Sequence, residues 1–155
     1  TRDLFNSKEL AKLAPEPFSE EFSIEYLREK LRLSGRTVKE FLLDQTKVCG
    51  VGNIYASEAL YLSGISPRRK GRNVPKSKAL LLHQYIRVVL EEAIAMTKTI
   101  VPDANVLGEG VYGEGSIMRW RVYDREGEPC PGCSAPIKRI RQGARSTYFC
   151  PLCQR

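Results

Sequence analysis

The chain has 155 residues, 42% hydrophobic and 28% charged, with a formal net charge of +7 and a pI near 9.3. This is enough apolar content for a packed core in one domain or two small ones, and no apolar run is long enough to span a membrane. The basic balance favours an anionic partner over a cationic or neutral one.

Taken in chain order, residues 1–18 read as an interdomain linker or docking segment ending at Pro15-Glu16-Pro17. A helix is expected over about 19–33, with Ile24, Leu27 and Leu31 on one face, stopped by Ser34-Gly35. Thr37-Val38-Lys39-Glu40 is a capping-box pattern, which predicts a short helix over 38–44 with Val38, Phe41 and Leu42 inward. A turn with Gly50 and Gly52 follows. A third helix starts near Asn53, a good N-cap residue, and ends at Gly64. Residues 66–78 then hold six Lys/Arg (Arg68, Arg69, Lys70, Arg72, Lys76, Lys78) and no acid. They suit a track of phosphates or a solvated loop. The longest helix is predicted over 77–97, its apolar stripe Leu82, Ile86, Val89, Ala93 and Met96 facing the core. Residues 98–118 read as a Gly-rich loop without the Lys-Ser/Thr ending of a phosphate loop. Residues 118–125 alternate Trp120 and Val122 with Arg119 and Arg121 and read as a strand.

Four of the five cysteines form two pairs, Cys130-Pro131-Gly132-Cys133 and Cys150-Pro151-Leu152-Cys153. Each Cys-x2-Cys knuckle points two thiolates at one ion, and two knuckles complete a tetrahedron for one structural zinc. Four thiolates leave no open position, so catalytic zinc is not expected. Two disulfides are the rival pattern. No secretory leader precedes them, which weighs against it. Cys49, in an apolar stretch, is expected to be a buried small hydrophobe.

The run from Asp44 to Ala56 joins two helices. Gly50 and Gly52 permit positive φ and close backbone approach, and their N–H groups with the following helix start form a candidate phosphate clamp. Asn53 and Lys47 add an amide and a charge. The same residues also suit a tight helix–helix turn in which Asn53 caps its own helix.

The run Gly50-Val51-Gly52-Asn53-Ile54-Tyr55-Ala56-Ser57-Glu58, followed by Gly64-Ile65-Ser66-Pro67, resembles the helix–two-turn–helix signature of the formamidopyrimidine-DNA glycosylase / endonuclease VIII family. Arg125-Glu126-Gly127-Glu128-Pro129-Cys130 and Arg145-Ser146-Thr147-Tyr148-Phe149-Cys150 resemble its zinc ribbon, and Leu13-Ala14-Pro15-Glu16-Pro17 its domain junction. The resemblance implies an α+β chain in three parts: a docking segment (1–18), a small helical bundle with the two-turn motif (19–117) and a β-hairpin zinc ribbon (118–155). It implies damaged-DNA binding in base-excision repair, as the C-terminal half of a bifunctional DNA glycosylase/AP lyase acting on oxidised bases. A standalone, non-catalytic nucleic-acid-binding ribbon is the alternative.

By the same resemblance, Asn53 binds phosphate, and Arg145 sits at the hairpin tip and holds the phosphates flanking the lesion. Lys47 and Gly52 complete the DNA-binding set, Lys138, Arg139 and Arg141 extend it or are merely solvated, and Cys130, Cys133, Cys150 and Cys153 hold zinc. The implied partners are damaged or abasic double-stranded DNA and the N-terminal catalytic domain of the same enzyme. The implied setting is cytoplasmic (bacterial and nucleoid-associated) or otherwise intracellular, with no membrane. The family's nucleophile is an N-terminal proline followed by glutamate. Here the sequence opens Thr1-Arg2-Asp3, and Pro15 is tied in a peptide bond without an available lone pair, so the chain alone is expected to be inactive. The family's lesion-capping loop has no clear counterpart in residues 98–118.

Overall fold

The computed structural model describes residues 13–100 and 120–155. Four α-helices, α1 (Ile24–Arg32), α2 (Val38–Leu43), α3 (Asn53–Ser63) and α4 (Lys76–Ile100), precede a hairpin of β1 (Lys138–Gln142) and β2 (Arg145–Phe149). A 3-10 turn, Gly71–Asn73, links α3 to α4. Among the described residues, no helix is long and apolar enough to cross a membrane. The α+β architecture expected from the sequence is the one observed.

Each helix boundary has a local cause. The first helix begins at Ile24 rather than near 19, because the Ser23 hydroxyl caps it by accepting from the Tyr26 amide at 3.1 Å. Residues 16–22 instead wind into turns, with the Ser19 hydroxyl donating to Glu16 O at 2.7 Å, and these seat Phe22 in the core. Thr37 caps α2 as predicted, accepting from the Glu40 amide at 3.2 Å. The reciprocal half of the capping box is replaced by a Glu40–Arg36 pair at 3.4 Å. Asn53 is the first helical residue of α3, not its cap: Gly52 holds the cap position with no side-chain bond. Gly64 ends α3 at φ 69°, where a Cβ would meet Cys153 O at 3.4 Å.

The four helices share one core. Leu27 and Leu31 of α1, Val38, Phe41 and Leu42 of α2, and Leu82, Ile86 and Val89 of α4 are all buried. Ala93 and Met96 extend the α4 stripe as half-buried residues. Helix α3 is central and buries small and apolar residues on most sides, including Ala56, Ala59 and Leu60.

The predicted strand over 118–125 is not observed. Residues 120–125 form turns, with Asp124 at φ 58°; residues 118 and 119 lie outside the described set. The backbone amides of Arg121, Val122 and Tyr123 all donate to the Glu58 carboxylate, at 2.6, 2.9 and 3.3 Å. A carboxylate, not a sheet ladder, thus takes the donors that strand pairing would use. The predicted loop also begins later than expected, since α4 continues to Ile100; residues 101–119 lie outside the described set, as do 1–12 of the docking segment. Residues 13–15 rest on the α2–α3 turn, where Ala14 N donates to Gln45 O at 2.9 Å.

In the hairpin, Arg139 pairs with Tyr148 and Gln142 with Arg145, leaving a two-residue turn of Gly143 (φ 61°) and Ala144. The hairpin side of the molecule has its own small core of Val122, Cys130, Ile137, Tyr148 and Cys150.

Candidate nucleic-acid interface

The two knuckles bring the four Cys Sγ atoms within 4.8 Å of one another. Across the knuckles, Cys130 lies 3.8 Å from Cys153 and Cys133 lies 3.4 Å from Cys150. A disulfide needs about 2.05 Å. With Zn–S bonds of about 2.3 Å, a tetrahedron has S···S edges of about 3.8 Å. The four thiols therefore fit one zinc ion and not two disulfides. Gly132 N donates to Cys130 Sγ at 3.3 Å and Cys153 N to Cys150 Sγ at 3.4 Å, which suits thiolates. When bound, the ion supplies a cross-link that fixes the ribbon; it has no place for a reacting group.

The ribbon is seated on the end of α3. Arg155 N donates to Gly64 O at 3.2 Å and Ser66 N to Arg155 O at 3.1 Å. The Gln154 side chain bridges Ile65 O at 3.0 Å and Cys150 N at 2.8 Å. Nearer the tip, Gln142 Nε2 donates to Pro67 O at 3.0 Å, and the Arg68 guanidinium lies over the Phe149 ring at 5.5 Å.

This seating brings the hairpin onto the α2–α3 turn. Asn53 Oδ1 accepts from Lys39 Nζ at 2.7 Å, and its Nδ2 donates to Ser146 O at 2.9 Å. Lys39 Nζ also donates to Thr147 Oγ1 at 2.7 Å. Partners of opposite sense on the two amide atoms settle the orientation of Asn53. It does not cap its own helix; it ties two helices to the strand that carries Arg145. One of its two amide hydrogens has no partner among the described residues.

Lys39 is the residue the sequence reading missed. It is fully buried, and its amine is pushed down to about 8, first by burial and then by the charge of Arg145. Its signal was present: in a helix whose inward face is Val38, Phe41 and Leu42, position 39 lies beside that face.

Arg145 is exposed at the start of β2, and its side chain makes no ion pair or hydrogen bond with a described residue. A shallow recess beside it is lined by Arg36, Glu40, Asp44, Gln45, Gln142 and Ala144. Gly50 takes positive φ (85°), but its N–H donates to Gln45 Oε1 at 2.8 Å, so it is not available to an anion as expected. Gly52 is extended (φ −90°), its N–H has no partner among the described residues, and a Cβ there would meet open space. Lys47 is half-buried and offers its carbonyl to the Tyr26 hydroxyl at 2.8 Å. Beside it, burial works against ionisation of Asp44, but the Thr46 hydroxyl and amide and the Lys47 and Arg36 charges outweigh it and hold the carboxyl below its usual range. Cys49 is half-buried rather than buried, at the rim of a recess with Phe18, Tyr55 and Leu90.

The other basic residues divide. Arg139 turns to Ser146 Oγ at 3.1 Å and Arg141 to Gly143 O at 3.3 Å, while Lys138 is exposed. In the 66–78 run, Arg69 donates to Asn73 O at 3.1 Å and Lys78 to Gly64 O at 3.5 Å, so part of that charge serves the fold.

Residues 13–105 match the H2TH domain of formamidopyrimidine-DNA glycosylase, and residues 127–155 match the zinc finger found in that enzyme and in IleRS. The chain belongs to the formamidopyrimidine-DNA glycosylase family. It is 44% identical over 149 residues to the glycosylase of Geotalea uraniireducens, covering 94% of this chain and 53% of that protein. Against the Paracoccus denitrificans glycosylase it is 47% identical over 148 residues, covering 94% and 52%. Among solved structures, it is similar to the Lactococcus lactis glycosylase in complex with a FAPY-dG-containing DNA, with a TM-score of 0.82 and 36% identity, covering 99% of this chain and 55% of that one. The Thermus thermophilus glycosylase gives a TM-score of 0.79 at 35% identity, covering 97% and 57%. The chain spans about half the length of the family members it matches.

Proposed function

We propose that this chain grips the backbone of damaged or abasic duplex DNA, as the C-terminal half of a bifunctional DNA glycosylase/AP lyase acting on oxidised bases. The observation that carries this reading is the Lys39–Asn53–Ser146/Thr147 junction. It fastens the hairpin to the α2–α3 turn and leaves the Arg145 guanidinium exposed beside them. A guanidinium binds phosphate bidentately, and a helix start with unspent N–H groups adds a second contact. In this reading Arg145, Asn53 and Gly52 meet the phosphates flanking the lesion, with Lys47 and Lys138 supplying weaker, screened attraction. The domain division follows the same logic: 1–18 docks, 19–117 carries the two-turn motif and 118–155 is the ribbon. The bond-breaking proline comes from an N-terminal catalytic domain, the second partner, and the site of action is the intracellular DNA.

The test is a fluorescence-anisotropy titration of the zinc-loaded chain against a duplex with an abasic analogue, the same duplex intact, and RNA of equal length. The reading requires tightest binding to the abasic duplex. Equal affinity for all three would replace it with a generic, non-catalytic nucleic-acid module.

A further inference from the structure

The four metal ligands are not equally supported from outside the ribbon. Tyr61, on α3, places its hydroxyl 3.3 Å from Cys130 Sγ. Cys130 is buried, and it already accepts from Gly132 N at 3.3 Å. Among the described residues, no other ligand of the four faces a side-chain O–H. A zinc-bound thiolate has no proton to give, so the phenol must be the donor.

The position is built on both sides. Tyr61 is in the last turn of α3 and packs against the ribbon's small core. Opposite it, a Cβ on Gly132 would lie 3.1 Å from the Tyr61 hydroxyl, tighter than ordinary contact, so the missing side chain gives the phenol room to approach. The geometry points to Tyr61 as a positioning residue for the zinc site: its hydroxyl donates to the Cys130 thiolate, retains the metal, and locks the ribbon to the helix that begins with Asn53. Tyr61 lies eight positions after Asn53, about 12 Å along a helix. The metal and the backbone grip are thus mounted on one rod. This inference rests on the metal site and stands whether or not the chain binds DNA.

Outer hydrogen bonds to metal ligands typically change metal affinity 10–100-fold. Tyr61→Phe keeps the ring and removes only the donor. Zinc loss from the full chain to excess chromophoric chelator should accelerate about 10-fold. In the cobalt-substituted chain, the thiolate-to-metal charge-transfer band should shift, which a loss of packing alone would not produce. Gly132→Ala, which crowds the hydroxyl away, should also speed release in the parent chain, but add little in the Tyr61→Phe background. A release rate within twofold of the parent would overturn the proposal. So would faster release with an unmoved cobalt band, or full additivity of the two substitutions.

Discussion

Lys39 makes the sharpest thermodynamic prediction. A buried amine is costly to keep charged, and here the folded value is about 8 against 10.5 for a free lysine. Below pH 8 both the folded and unfolded chains hold the proton, and the full penalty applies. Between about 8 and 10.5 the folded chain releases it while the unfolded chain keeps it. The unfolded state then binds more protons, so stability rises with pH. The ceiling is the shift itself, about 3 kcal/mol, reached only above the unfolded value. Other groups titrate in this window, so the quantity to measure is a difference. Urea midpoints of the zinc-loaded chain and of Lys39→Met, collected from pH 7 to 10, should converge or cross as the parent gains the increment that the variant lacks. A parallel pair of curves, or a parent that loses ground to the variant, would refute the buried-charge argument.

Arg145→Ala should weaken binding to abasic duplex by about 1–3 kcal/mol, the scale of a lost charge-assisted phosphate contact. Because the side chain is exposed and unpaired among the described residues, the melting temperature should hold; an unchanged affinity removes Arg145 from the interface. Stripping the metal with chelator should abolish DNA binding by releasing the hairpin, as metal binding to small modules is folding free energy; retained affinity after verified zinc loss would contradict this. Borohydride treatment with abasic DNA should trap no adduct on this chain, and a trapped cross-link would reveal a nucleophile within it. Glu58→Ala should strand three backbone donors at once and destabilise the chain by several kcal/mol, at about 1–3 per orphaned group. A melting curve like the parent's would show that water replaces the carboxylate.

What the sequence made legible was punctuation and metal chemistry. Thr37, Gly64 and the two cysteine pairs each act within a few residues of themselves, and each behaves as read. Asn53 was half legible. Its place at the turn was plain, but a capping amide and an amide that ties three elements together look identical in a string. The strand expected at 118–125 failed for a related reason. Alternation marks a segment with one wet and one dry face, and Val122 is indeed buried, yet the partner that takes its amide is Glu58 on α3. Lys39 and Glu58 are charged residues inside otherwise inward-facing helical patterns. Such interruptions are the trace a distant polar partner leaves in a sequence, and they name the residue without naming the partner.

The contact between Lys39 and Thr147 joins positions 108 residues apart, and that between Asn53 and Ser146 joins positions 93 apart. Contacts within the helical bundle close over shorter separations, up to 70 residues between Pro17 and Arg87, so loop-closure entropy predicts that the bundle forms before this junction. On that order the Lys39 amine would face water, and keep its proton cheaply, until the hairpin docks. The expectation is that its desolvation, and the assembly of the site around it, come late in folding. Mutations at the junction should act on the docking rate of a nearly finished molecule and leave the early collapse untouched.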